Sequence, residues 1–195
     1  MHKTPSKQVL IYKGEGANLR CLRTLTSQLR GLPIQLVGPH DLTSAWETQT
    51  SLLIFPGGRD IPYHNTLKGP PNARIRAFVE QGGHYLGICA GGYYGSQKVE
   101  FERDHPLEVQ GDRELAFFPG TASGPAYGSG QFRYDSEAGA KTASLILTSG
   151  EKSAAYFNGG CAFLHAEEHP HISILARYED IARNPAAIVE CRIGK

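Results

Sequence analysis

The sequence predicts an α/β fold: a flavodoxin-like doubly wound sheet, mostly parallel, with antiparallel strands added in the C-terminal half. Three observations carry this. In the first half, short apolar runs alternate with amphipathic helical stretches, the pattern of βαβ units. Glycine- and proline-rich turns punctuate nearly every change of element. From residue 115 onward there are strand-like runs separated by glycine, serine and asparagine, and no long helical period.

Residues 8–12 (Gln-Val-Leu-Ile-Tyr) read as a buried first strand, ended by Gly14-Glu15-Gly16. A helix follows from about Asn18, with Leu19, Leu22, Leu25 and Leu29 on one face, and Gly31 is placed to stop it. Residues 34–37 form the second strand. A short helical stretch from 42 to 49 leads to the third, 51–55, which breaks at Pro56-Gly57-Gly58. A polar loop with Pro62, Pro70 and Pro71 precedes a helix over 72–79, ended by Gly82-Gly83. The fourth strand, 84–88, runs into Cys89 and a glycine-rich helix start. Later runs at 115–118, 144–147, 154–157, 172–176 and 187–191 are expected to extend one edge of the same sheet. With no linker and no internal repeat, residues 1–195 read as a single domain.

Composition narrows the function. A chain of 195 residues with 40% apolar and 20% charged residues is ordinary for one globular domain. The net charge is +1 and the basic residues are scattered, so no footprint for nucleic acid or an anionic membrane is expected. The apolar runs are too short to span a bilayer, and the N-terminus lacks the apolar stretch of a signal peptide. The four cysteines (Cys21, Cys89, Cys161, Cys191) form no C-x-x-C pair, which favours reduced thiols and a cytoplasmic location.

Gly87-Ile88-Cys89-Ala90-Gly91 fits the pattern of a nucleophile elbow, glycine two places either side of the reacting residue. A side chain forced into a strained strand-to-helix turn needs small neighbours at those positions. The helix start favours thiolate, and the N–H of Ala90 is free to donate to an oxyanion. Phe55-Pro56-Gly57-Gly58 closes the neighbouring strand, and parallel strands bring their C-terminal ends together. Gly58 is the favoured second donor, with Gly57 as the fallback. The bland alternatives are a small buried cysteine filling a gap and a simple tight turn. Gly57, Gly91 and Gly92 allow close backbone approach to a substrate. Tyr127, in the glycine-rich loop from 120 to 130, and Tyr156 and Asn158, before Gly159-Gly160, are further candidates for lining a pocket, although a hairpin turn explains the last group equally well.

Pro56-Gly57-Gly58 and Gly87-Ile88-Cys89-Ala90-Gly91-Gly92-Tyr93 together resemble the class I glutamine amidotransferase-like superfamily. Phe118-Pro119-Gly120-Thr121-Ala122-Ser123-Gly124-Pro125-Ala126, Ser136-Glu137-Ala138-Gly139-Ala140 and Tyr156-Phe157-Asn158-Gly159-Gly160 resemble the N-terminal domain of eukaryotic-type biotin–protein ligases, which also occurs as stand-alone bacterial proteins. The resemblance implies Cys89 in the nucleophile position. It does not imply biotin ligation, because the glycine- and arginine-rich biotin and nucleotide loop belongs to a separate module that has no counterpart here. In such relatives a histidine, oriented by a glutamate two residues later, deprotonates the cysteine. That pair lies on the strand after a glycine-lysine turn, and the present sequence reaches only Gly194-Lys195. The general base is thus expected either beyond the sequence given or not at all, with His165, Glu167 and Glu15 as weak substitutes within it. His169 and His171 lack the stiff spacing of metal ligands.

The expected activity is hydrolysis or transfer of a small-molecule or peptide amide through a thioester on Cys89, with no cofactor and no metal. Two alternatives stand beside it: a non-catalytic ligand-binding or regulatory module that keeps the fold and pocket, and a redox-sensing or glyoxalase-like cysteine protein. Oligomeric state and protein partners are open.

Overall fold

A computed structural model describes residues 7–194 and divides the chain into two compact units. One runs to Tyr94 and takes in the segment from Ile193; the other is Gly95–Arg192.

The first unit is built on four parallel strands, β1 (Gln8–Tyr12), β2 (Ile34–Val37), β3 (Thr50–Phe55) and β4 (His84–Gly87), in the order β2-β1-β3-β4. The two central strands read as continuous apolar runs because both faces are covered; Leu10, Ile11, Leu53 and Ile54 are all buried. Alternation along the strands assigns the faces. Val9, Ile11 and Ile54 meet Leu22 and Leu25 of helix α1 (Leu19–Gln28) and Leu29, the residue that caps its end. Tyr12 and Phe55, on the opposite face, stack at 4.8 Å and meet Tyr63 of α2 (Asp60–Leu67). Leu19, expected on the apolar face of α1, is exposed.

Helix α1 starts where Asn18 caps it, its side-chain oxygen accepting the amides of Arg20 and Cys21 at 2.9 and 3.1 Å. Helix α2 corrects the expected polar loop. Pro62 falls in its first turn, where an amide has no intrahelical acceptor, so the ring removes no bond. Pro70 and Pro71 open α3 (Pro70–Glu80) for the same reason. The stretch between β2 and β3 is two single 3₁₀ turns, Asp41–Thr43 and Glu47–Gln49. Helix α4 (Ala90–Tyr94) follows β4 after a two-residue bend.

The second unit is an eight-stranded sheet in the order β6-β5-β7-β10-β12-β11-β8-β9. Its strands are β5 (Ser96–Phe101), β6 (Val109–Asp112), β7 (Phe118–Gly124), β8 (Lys141–Leu147), β9 (Lys152–Phe157), β10 (Ala162–Phe163), β11 (Ile172–Tyr178) and β12 (Ala186–Cys191). Only β5 and β7 pair in parallel. These strands pair among themselves rather than extending the four-stranded sheet. The run at 115–118 enters its strand only at Phe118, and much of the expected 120–130 loop is β7. The irregular segment after it is held by Glu102, a fully buried carboxylate that accepts the amide of Gly130 at 2.7 Å and the hydroxyl of Tyr134. Phe132, Leu145, Phe157 and Tyr178 form an apolar cluster of this unit. Among the described residues, no helix is long and apolar enough to cross a membrane.

Candidate active site

Strands β3 and β4 end side by side, with Phe55 opposite Gly87 and the Ile88 amide donating to the Phe55 carbonyl at 3.0 Å. The chain then bends at Cys89, whose φ of 51° lies in the left-handed region that a residue with a side chain seldom occupies. The bend is locked from both sides. The Cys89 carbonyl accepts the amides of Gly92 and Tyr93 at 2.8 and 3.1 Å, starting α4. A Cβ on Gly87 would stand 2.3 Å from the Gly91 carbonyl oxygen, and one on Gly91 would stand 2.1 Å from that of Phe55. Both glycines of the elbow are therefore required by backbone packing. The Tyr85 hydroxyl donates to the Gly91 carbonyl at 2.7 Å and ties the helix start to β4.

The backbone amides of Ala90 and Gly58 both act on the Cys89 sulfur, favouring its thiolate. Gly58 reaches it because its φ of 143° turns the chain there, and the Gly16 carbonyl leaves no room for a side chain, lying 1.9 Å from where a Cβ would sit. Bonds from Asn18 to the Gly57 carbonyl (2.9 Å) and from Arg59 to the Gly16 carbonyl (2.9 Å) fasten this turn to the loop after β1. The amide of Gly57, the fallback donor, is engaged elsewhere: it donates to the sulfur of Cys21 at 3.3 Å.

Cys89 keeps some accessible surface, yet the protein packed around its sulfur pushes the thiol up to about 11. Burial is the main cause; the two amides pull the other way, and Cys21 and Asp60, where ionised, add to the rise. Cys21 is raised by burial and lowered by the Gly57 amide. Tyr63, whose hydroxyl donates to the Pro56 carbonyl at 3.1 Å, is raised by burial and by Cys21, Tyr12, Cys89 and Asp60. Cys21 and Asp60 are not singled out by the sequence. Their signals are slight: a cysteine three residues past a helix cap, and an acid two residues past a glycine pair.

Glu15 acts on Tyr12, which is pushed up to about 12 by burial and by that carboxylate. The other candidates belong to the second unit. His165 is exposed and pairs with Glu168 at 3.0 Å, while Glu167 pairs with Arg177 at 3.7 Å. The Tyr127 hydroxyl donates to Asp180 at 2.6 Å under the ammonium of Lys141, and Tyr156, exposed, donates to Glu137 at 2.9 Å. The Asn158 amide donates to the Ser136 carbonyl at 3.2 Å. Among the described residues, no three His, Cys, Asp or Glu side chains converge on a possible metal position.

A parallel sheet with a strained cysteine turn at its carboxyl edge defines an α/β protein of the glutamine amidotransferase fold. A crystal structure of a glutamine amidotransferase matches with a TM-score of 0.67 at 16% identity, covering 95% of this chain and 86% of that one. A crystal structure described as a GMP synthase component from Thermoplasma acidophilum matches with a TM-score of 0.51 at 9% identity, covering 95% and 79%. The particular family follows from sequence: residues 7–195 match the profile "Biotin-protein ligase, N terminal", and the chain belongs to that family. It is 40% identical to an uncharacterised protein of Chlamydia muridarum over 97% of this chain and 76% of that protein. It is 41% identical to the biotin–protein ligase of Schizosaccharomyces pombe over 96% of this chain but only 31% of the ligase, so it spans about a third of that enzyme.

Proposed function

We propose that the first unit carries a cysteine acyl-transfer site of the amidotransferase type, acting on a carboxamide through a thioester on Cys89. The observation that carries the reading is the sulfur at position 89, held on a left-handed turn where the amides of Gly58 and Ala90 favour its thiolate. In the resting site these donors favour thiolate. When sulfur attacks a carbonyl carbon, negative charge moves to the carbonyl oxygen, and donors beside the sulfur are placed to take it. Deprotonating the thiol and protonating the leaving amine need an acid–base group as well. The resemblance assigns that role to a His-x-Glu pair.

An activated ester separates nucleophile from base, because nitrophenolate leaves without being protonated. With p-nitrophenyl acetate at pH 8.5, the expected result is a burst of one equivalent of nitrophenolate and an acetyl thioester on the Cys89 peptide. Cys89→Ala removes both. Acetylation spread evenly over Cys21, Cys161 and Cys191 would overturn the reading.

A second reading is favoured by the thiol's own position near 11. A sulfur protonated at neutral pH, with acidic neighbours, suits a non-catalytic module that keeps the fold for binding. It predicts no acyl-enzyme from either esters or carboxamides.

A further inference from the structure

We infer that Cys21 and Cys89 are a dithiol pair that closes to a disulfide on exchange with a low-molecular-weight disulfide, so that the elbow sulfur is reversibly blocked. The pair is a matter of placement. Cys21 stands in the first turn of α1, fixed there by the Asn18 cap, and its sulfur accepts the amide of Gly57 at 3.3 Å. The next amide in the chain, that of Gly58, acts on the sulfur of Cys89 and favours its thiolate. Consecutive amides of one turn thus serve two different thiols. A methyl group built on Gly57 would lie 3.7 Å from the Cys21 sulfur and 3.5 Å from the Cys89 Cβ, so both cysteines border the space that this glycine leaves unfilled. The other two cysteines are in the second unit: Cys161 is buried there, and Cys191 ends β12.

The chemistry balances with one oxidant. A thiolate of the pair attacks a sulfur of the small disulfide, forming a mixed disulfide and expelling one small thiolate. The partner thiolate then attacks the protein-side sulfur, the Cys21–Cys89 bond forms, and a second small thiolate leaves. Two protein thiols are oxidised, one small disulfide is reduced to two thiols, and the protons of Cys21 and Cys89 go with them. A disulfide sets its two Cβ atoms about 3.8 Å apart, a separation the backbone decides, so the bond forms by the Cys21 sulfur turning into the gap at Gly57 and giving up that single amide contact while the start of α1 adjusts to the Cβ separation. The closed form has no sulfur free to attack. The inference uses the geometry of the site and does not require Cys89 to be catalytic.

Full-length protein is incubated with oxidised glutathione at pH 8.5, blocked with iodoacetamide and mapped by mass spectrometry without reduction. The expected product is a Cys21–Cys89 linked peptide, with both thiols lost together and recovered by dithiothreitol. Cys21→Ser stops at glutathionylated Cys89. Gly57→Ala, whose methyl makes only ordinary contacts, slows linkage by about tenfold or more because the bridging space is filled. A mixed disulfide that persists on wild-type Cys89, or linkage to Cys161 or Cys191 in equal yield, would overturn the inference. Linkage without an ester burst retains the dithiol pair and sinks the acyl-transfer reading; a burst without linkage does the reverse.

Discussion

A left-handed cysteine survives at position 89 because its neighbours leave no other course. The carbonyl oxygens of Gly91 and Phe55 crowd the places where side chains at 87 and 91 would begin. Gly91→Ala is therefore expected to lower stability by about 3 kcal/mol or to prevent folding, whereas Gly57→Ala stays within about 1 kcal/mol of wild type, by urea unfolding. The thiol adds a pH term. Cys89 titrates near 11 in the folded chain, against 9.0 for an ordinary cysteine, so folded protein holds a proton that the unfolded chain gives up. The stabilisation is complete below about pH 9 and is lost as pH rises through 11. Melting curves of wild type and Cys89→Ala should keep a constant gap from pH 7 to 8.5, then shift against the wild type above pH 9. A gap independent of pH up to 11 would show that the sulfur is not desolvated.

At the scale of elements, legibility depends on how strongly burial stamps the sequence. Strands β1 and β3 are covered on both faces, so their apolar runs can be read almost to the residue. Strands β5 and β6 carry Gln97, Lys98, Gln110 and Gly111, and exposed polar positions interrupt both, which removes the signal. β7 contains Pro119, Gly120 and Gly124 and resembles a loop by composition; pairing with β5 and β10 makes it a strand. Helix α2 escapes a sequence reading because Pro62 and the two prolines after it suggest a loop unless the first-turn exception is applied. Of the site, the elbow and the Pro-Gly-Gly turn are readable from spacing. Cys21 and Asp60 are not, because they arrive from elements whose direction only packing determines. The cap that aims Cys21 offers a test. Asn18→Ala should cost about 1 kcal/mol of stability and slow disulfide closure in the same variant, since the turn that presents Cys21 frays. A loss of stability with closure unchanged would separate the cap from the thiol.

At the scale of the whole molecule, Gly58, Ala90, Cys21 and Asp60, which shift the Cys89 thiol, belong to the first unit. His165 belongs to the second, exposed and paired with Glu168. His165→Ala is accordingly expected to leave the amplitude and rate of the ester burst unchanged. A burst reduced by this variant would make the histidine part of the chemistry. The composition of the chain cannot divide the sequence into these two units, because no linker marks the passage at Tyr94–Gly95.

The segment after β12 has a consequence for the order in which the protein is made. Gly194, at φ 79°, lies so close to the end of α3 that a Cβ there would be 2.4 Å from the Glu80 carbonyl oxygen, and the entire second unit intervenes between those two residues along the chain. A polypeptide emerging from the ribosome can pair β1 to β4 early, but it cannot complete this contact until the eight strands of the second unit have been synthesised. The unit that begins folding first is thus completed only after the second has left the ribosome.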